Sequence, residues 1–186
     1  MTPQRPEILQ VALLFEANLE VATDFDSVAA GMQARMADRR LDFDVRVHEP
    51  GRALLLSHEG LYVAVERADA ALPASGFSTA LSRPMAAIAR QAAERAIHDH
   101  KGRFLVSVGR GPTPGSPPPV AEESNAAFVA RLTVARVMTE LLVNHHPVSI
   151  VHRAQADQLI APGRYLEHTG QSFPLRLFLN PVPFGQ

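Results

Sequence analysis

The chain reads as one pattern written twice. A strand, a long amphipathic helix and further strands run from Glu7 to Pro73, and a similar order returns from Lys101 to Pro183. The apolar runs Val11–Phe15 and Phe104–Val108 each precede a long helical stretch, Phe25–Arg39 and Ser124–His145. Each half then closes on an apolar strand ahead of proline, Leu61–Val65 reaching Pro73 and Pro174–Phe178 reaching Pro181. The expectation is a single α+β domain over residues 1–186. It is built from two related strand-helix-strand-strand halves, about 7–73 and 101–183, joined by a helix over 82–98, with a mixed or antiparallel sheet and helices packed on it. A duplicated domain of this kind usually places its binding surface where the halves meet.

The first helix has Phe25, Val28, Ala29, Met32 and Met36 at the spacing of one helical face. Thr23 or Asp24 can cap its start, while Asp26 near the N-terminus and Arg35, Arg39 and Arg40 near the C-terminus complement the helix dipole. A second helix is predicted from Ser82 as N-cap, with Pro84 in the first turn and Met85, Ile88, Ala89, Ala92 and Ala96 forming a small-residue face. The third is apolar over too much of its circumference for one contact: Phe128, Leu132, Ala135, Met138 and Leu142 lie on one side, with Val129, Val134, Val137 and Leu141 around it. It is either central or part of a partner interface.

Leu41–Val47 alternates apolar and polar residues and predicts a strand with one wet face. Turns at Glu49–Gly51 and His58–Gly60 lead into Ala53–Leu56 and Leu61–Val65, giving a three-strand antiparallel meander. Phe104–Val108 is apolar at almost every position, as expected of a central strand covered on both faces. The glycine-rich connection Gly109–Pro119 invites a phosphate-binding reading. Prolines at 112, 114, 117, 118 and 119 remove N–H donors, no Gly-Lys-Ser/Thr ending follows, and Glu122 and Glu123 bring negative charge, so the segment reads as a stiff connection or a docking loop.

At 186 residues and 46% hydrophobic the chain can bury a substantial core. Its formal charge of −1 gives no basic field for nucleic acid. The apolar runs are strand length, far short of the roughly 20 residues that span a bilayer, and no signal peptide is recognisable, so a cytoplasmic chain without membrane partners is expected. The absence of cysteine excludes disulfides, thiolate zinc sites and cysteine nucleophiles.

Eight histidines are the residues suited to metal or acid–base chemistry. His98, His100, His145, His146 and His152 cluster at the ends of the second and third helices, and imidazole with a carboxylate suits zinc, nickel or iron. No His-Glu-x-x-His motif occurs, and histidines at helix C-termini also serve the dipole. No Gly-x-Ser-x-Gly elbow is present; Ser78 sits in a loop, and Ser57 beside His58 belongs to a hairpin. Arg103 and Arg110 bracket the central strand and are candidates to bind a small anion. Ala161-Pro-Gly-Arg-Tyr165 reads as a turn in a packed loop.

The segment His100-Lys-Gly-Arg-Phe-Leu-Val-Ser-Val108, the amphipathic helix after it, His146-Pro-Val-Ser-Ile-Val151 and Asp157-Gln-Leu-Ile-Ala-Pro162 together resemble the bacterial domain-of-unknown-function family 4261. The resemblance covers the second half and the helix before it, with Val151 and His152 standing where the family carries aromatic residues. It implies a bacterial α/β domain with no assigned activity.

These readings favour a non-catalytic module that binds a protein partner or assembles as a homo-oligomer, with no cofactor. The alternatives are a metal-assisted hydrolase or lyase using the histidines, and a small-anion sensor using Arg103 or Arg110.

Overall fold

The computed structural model describes residues 5–16, 23–83, 88–117, 119 and 121–167. Its strands are β1 (Ile8–Phe15), β2 (Asp44–Glu49), β3 (Ala53–His58), β4 (Leu61–Ala68), β5 (Gly102–Arg110), β6 (Val148–Arg153) and β7 (Gln158–Ile160). They form one sheet in the order β2-β3-β4-β5-β1-β6-β7, with every neighbouring pair antiparallel. The helices are α1 (Phe25–Met36), α2 (Ser78–Ser82), α3 (Arg90–Asp99), α4 (Asn125–His145) and α5 (Pro162–Leu166). This is the α+β architecture expected from the sequence, with the antiparallel alternative realised. None of the described helices is long and apolar enough to cross a membrane.

Strand β5 takes the central place its apolar character predicts, between β4 and β1. Alternation divides its residues between two layers. Phe104, Val106 and Val108 join Leu9, Val11, Leu13 and Phe15 of β1 beneath α1 and α4. On the opposite face Ala12, Leu14 and Ile150 meet Phe77, Ala80, Ala93, Ala96 and Ile97 from α2, α3 and the turn before α2. Phe15 and Phe104 are fully buried with ring centroids 5.4 Å apart, and burial of each such side chain contributes about 1.5–3 kcal/mol. Gly102 is required here, because a Cβ on it would lie 2.4 Å from the Phe15 ring and 2.7 Å from the Ala68 carbonyl.

The meander forms its three strands in the order read, although the first spans Asp44–Glu49 rather than Leu41–Val47. Its second turn places Glu59 and Gly60 at φ 35° and 82°, the paired left-handed geometry that matches the twist of a two-residue hairpin. Beyond the meander, the two runs of the chain are laid out differently about the central β1–β5 pair. β4, the last strand before β5, lies beside β5, whereas β6, the first strand after α4, lies beside β1. The strand expected over Pro174–Phe178 lies outside the described residues.

Asp24 rather than Thr23 caps α1, accepting from the Ser27 backbone N–H at 3.1 Å and the Ser27 hydroxyl at 2.5 Å. These bonds hold the Asp24 carboxyl below its ordinary value. α1 ends in a 3₁₀ turn over Ala37–Arg39 and a left-handed Arg40. α4 is the central helix of the two alternatives. Ser124 caps it, and every residue from Thr133 to Val143 is buried, Val134 completely. α1 and α4 run antiparallel, close enough that a Cβ on Gly31 would lie 2.9 Å from Leu141.

The second helix differs from expectation. Ser82 closes α2 instead of opening the next helix, and its hydroxyl donates to the Thr79 carbonyl at 2.7 Å. The physical reason is Pro84: Arg83, the residue before it, is extended at φ −86°, ψ 156°, which a following proline favours over helix. Met85 lies outside the described residues, and α3 starts at Arg90. The turn read at Ala161–Tyr165 is instead the short helix α5, with Pro162 at the first helical position, where its missing N–H is harmless.

Candidate functional site

Two helix C-termini meet the same end of the sheet. β5 and β6 flank β1, and both begin opposite Phe15, at Gly102 and Val148. α3 enters β5 through His98, Asp99 and His100, and α4 enters β6 through His145 and His146. His152 sits near the far end of β6, opposite Ala12, whereas His98, His100, His145 and His146 share one sheet end. They do not share a face: α3 packs with Leu14 and Ile150, α4 with Phe15, Phe104 and Val151, and the sheet stands between them.

Each imidazole has its own surroundings. His100 is buried; its Nε2 accepts the Leu72 backbone N–H at 2.7 Å, so the proton sits on Nδ1, which donates to the Ile97 carbonyl at 2.5 Å. Both nitrogens are engaged by backbone. His98 is exposed and lies 2.7 Å from the Asp99 carboxylate. His146 closes α4 through its backbone N–H to the Leu142 carbonyl and packs on Phe104 at 4.8 Å between rings. Burial lowers its proton affinity, and the charges of His145 and Arg67 lower it further. His152, on β6, packs against Phe77 at 5.0 Å on the α3 face; burial lowers its proton affinity while Asp157 opposes the shift. The Nε2 atoms of His146 and His152 are buried and find no protein partner. Among the described residues no group of three His, Asp or Glu side chains is placed to hold a metal ion.

The two arginines bracketing β5 serve the backbone. Arg103 donates to the Ala70 carbonyl at 2.9 Å, and Arg110 to the carbonyls of Pro119 and Ala121, holding the proline-rich connection against the strand that precedes it.

Buried ion pairs on α4 are the feature the sequence reading missed. Arg131 grips Glu123 through Nε at 2.6 Å and Nη2 at 2.8 Å, and also donates to the carbonyls of Pro6 and Glu7, each at 2.9 Å. One guanidinium thus ties the entry to β1 and the approach to α4 together. Two turns and a half further on, Glu140 is fully buried and accepts from Arg136 on its own helix and from Arg35 of α1 at 2.5 Å. Burial pushes the Glu140 carboxyl up, and the two guanidiniums pull against that shift. The signal was present in the sequence. A helix apolar on nearly all sides must bury whatever charges it carries, and Arg136 with Glu140 is an i, i+4 pair.

The sheet end formed by β2, β3 and β4 extends past helices α2 and α3. α2 and α3 share the second face with β1, β6 and β7, while Leu55, Tyr62 and Ala64 form a separate small apolar cluster farther along it. Beside that cluster lies a groove of about 340 Å³, with Ala53, Leu55 and Ala64 among its apolar lining and Glu49, Arg52 and Glu66 among its charged residues. Val45 on the outermost strand β2 is 47% exposed. Val45 shares the face of its cross-strand partner Leu56, opposite the groove, so among the described residues β2 is an edge with an exposed apolar residue on one face and a groove on the other, an arrangement suited to contact with another polypeptide. No family model, curated protein or solved structure matches the chain.

Proposed function

We propose that this chain is a non-catalytic binding module that assembles with a second copy of itself, or with another protein, along the β2 edge of the sheet. The observation that carries the reading is the exposure of Val45 on the outermost described strand. An edge strand presents a row of backbone N–H and C=O groups, and natural edges are commonly guarded by charge, bulges or covering elements. Here a register shift between Val47 and Glu49 bends one end of β2, while Val45 lies on the regularly paired stretch before it. Two β2 strands meeting about a two-fold axis would pair antiparallel and close the assembly as a dimer. A formal charge of −1 supports a protein partner over nucleic acid.

Sedimentation equilibrium over a wide concentration range tests this reading. The expected result is a reversible dimer, with Val45→Lys weakening association while leaving the thermal midpoint in place. A monomer at every concentration, or a dimer indifferent to Val45→Lys, would overturn assembly through β2.

A further inference from the structure

Phe77 stands between two buried imidazoles. Its ring centroid lies 5.0 Å from that of His152 on β6 and 6.2 Å, edge to face, from that of His100 after α3. Phe77 is 1% exposed, His100 2% and His152 8%. Phe77 belongs to the turn Ala74–Phe77, which with α2 carries the chain across the sheet between β4 and α3. Leu72, Ala80 and Leu81 of the same stretch pack into the same apolar layer.

Both imidazoles hold this stretch in a form that suits an uncharged ring. His100 Nε2 accepts the Leu72 backbone N–H while Nδ1 donates to the Ile97 carbonyl, so a second proton on the ring would break the bond to Leu72. His152 Nε2 is closed to solvent and has no partner in the protein, so an imidazolium there would bury a donor without an acceptor. Burial lowers the proton affinity of His152, and the Asp157 carboxylate pulls against that shift without reversing it.

Charged groups approach from the packed elements. Asp157, beyond β6, pairs with Arg83 at the end of α2 at 3.1 Å, and Arg83 also donates to the Ala156 carbonyl at 3.2 Å. Arg90 of α3 donates to the Leu81 carbonyl, Arg103 of β5 to the Ala70 carbonyl, and His98 pairs with Asp99. Glu94, Arg95 and Lys101 are exposed, while β1 and β7 contribute the uncharged Ala12, Leu14 and Leu159.

We propose that residues 72–83 form an acid-released flap: Phe77 is held between neutral His100 and His152 at neutral pH, and protonation of His152 frees the stretch and uncovers Ala12, Leu14 and Ile150. The direction follows from the proton taken up on opening. The released ring binds its proton more readily, so the closed form is fully favoured above the ordinary imidazole value of about 6.5 and loses ground as pH falls toward the closed-state value. The flap lies over β1 and β6, away from β2, so it stands or falls independently of assembly through that edge.

Amide hydrogen exchange of the full chain at pH 7.5 and 5.5, corrected for the intrinsic pH dependence of exchange, tests the flap. Protection at the Leu72 N–H and across α2 should fall several-fold at pH 5.5, toward the roughly tenfold that one pH unit below the ordinary imidazole value allows, while the middle of β5 stays protected. His152→Leu keeps an apolar side chain against Phe77 without a titrating nitrogen and should hold the flap closed at both pH values. If that variant does not fold, the wild-type flap decides, with β5 as its internal reference. Unchanged flap protection at pH 5.5, or loss of protection across the whole sheet at once, overturns the proposal. So does a leucine variant that opens as fully as the wild type.

Discussion

Gly109 lies directly under the ring of Tyr62, its cross-strand partner on β4: a Cβ at position 109 would come within 2.4 Å of the ring carbon Cζ. The glycine lets a large side chain lie flat across β5 at its exit from the sheet, and burial there raises the Tyr62 hydroxyl above its ordinary value. Gly102, at the other end of the same strand, stands in the same relation to Phe15 on the opposite face. The central strand is thus bounded by two aromatic residues resting on glycines.

Gly109→Ala is expected to destabilise the protein by about 1–3 kcal/mol, the usual penalty of overpacking a fixed neighbour. Combined with Tyr62→Ala the loss should be smaller than the sum of the two single losses, because the clash is gone. Urea unfolding of the four proteins measures both quantities, and full additivity would show that the ring moves aside freely.

Glu140→Ala should be among the most damaging substitutions in the chain. It leaves the Arg136 guanidinium buried without its carboxylate, a change that typically loses about 3–5 kcal/mol. Replacing Arg136 and Glu140 together with Met and Leu should recover most of that loss, since the desolvation of both charges disappears. A double variant as unstable as Glu140→Ala would mean that the pair also fixes the α1–α4 contact through Arg35.

Stability should fall as the solution is acidified below about pH 6.5. Burial lowers the folded-state proton affinity of both His146 and His152 from the ordinary 6.5, so the unfolded chain binds more protons in this range. Their contribution is complete above the unfolded value and is lost progressively as pH drops toward the folded one. His152→Leu should flatten this dependence, and urea midpoints at neutral pH and near pH 5.5 compare the two slopes. An equally steep decline in the variant would assign the effect to other groups.

The Arg131 clamp predicts a local effect. Arg131→Lys cannot reproduce a bidentate grip on Glu123 together with bonds to the Pro6 and Glu7 carbonyls. Amide hydrogen exchange should quicken at the start of β1 and around Ser124 while the middle of β5 stays protected. Uniformly faster exchange would show that the clamp supports the whole fold.

Helices α1 and α4, the meander and the central place of β5 were legible because each rests on a short-range pattern: one helical face, strict alternation, or an unbroken apolar run. The boundary at Ser82 was misread because serine followed by proline two residues later fits a helix start, while the same proline also drives its predecessor out of helix. Charge on α4 was visible, but its pairing was not, since Glu123 lies before the helix and Arg35 belongs to another.

The sequence by itself determined helices α1 and α4 and the strands of the meander and of β1 and β5, and that the helices before β5 and β6 each deliver a histidine-bearing C-terminus into the strand that follows. Only the tertiary structure decided that β5 and β6 both start beside Phe15 while their helices lie on opposite faces. Backbone preference is set within a few residues of chain. The face a helix covers depends on how strands far apart in sequence pair, so the sheet places His100 against Phe77 and His146 against Phe104 rather than against each other.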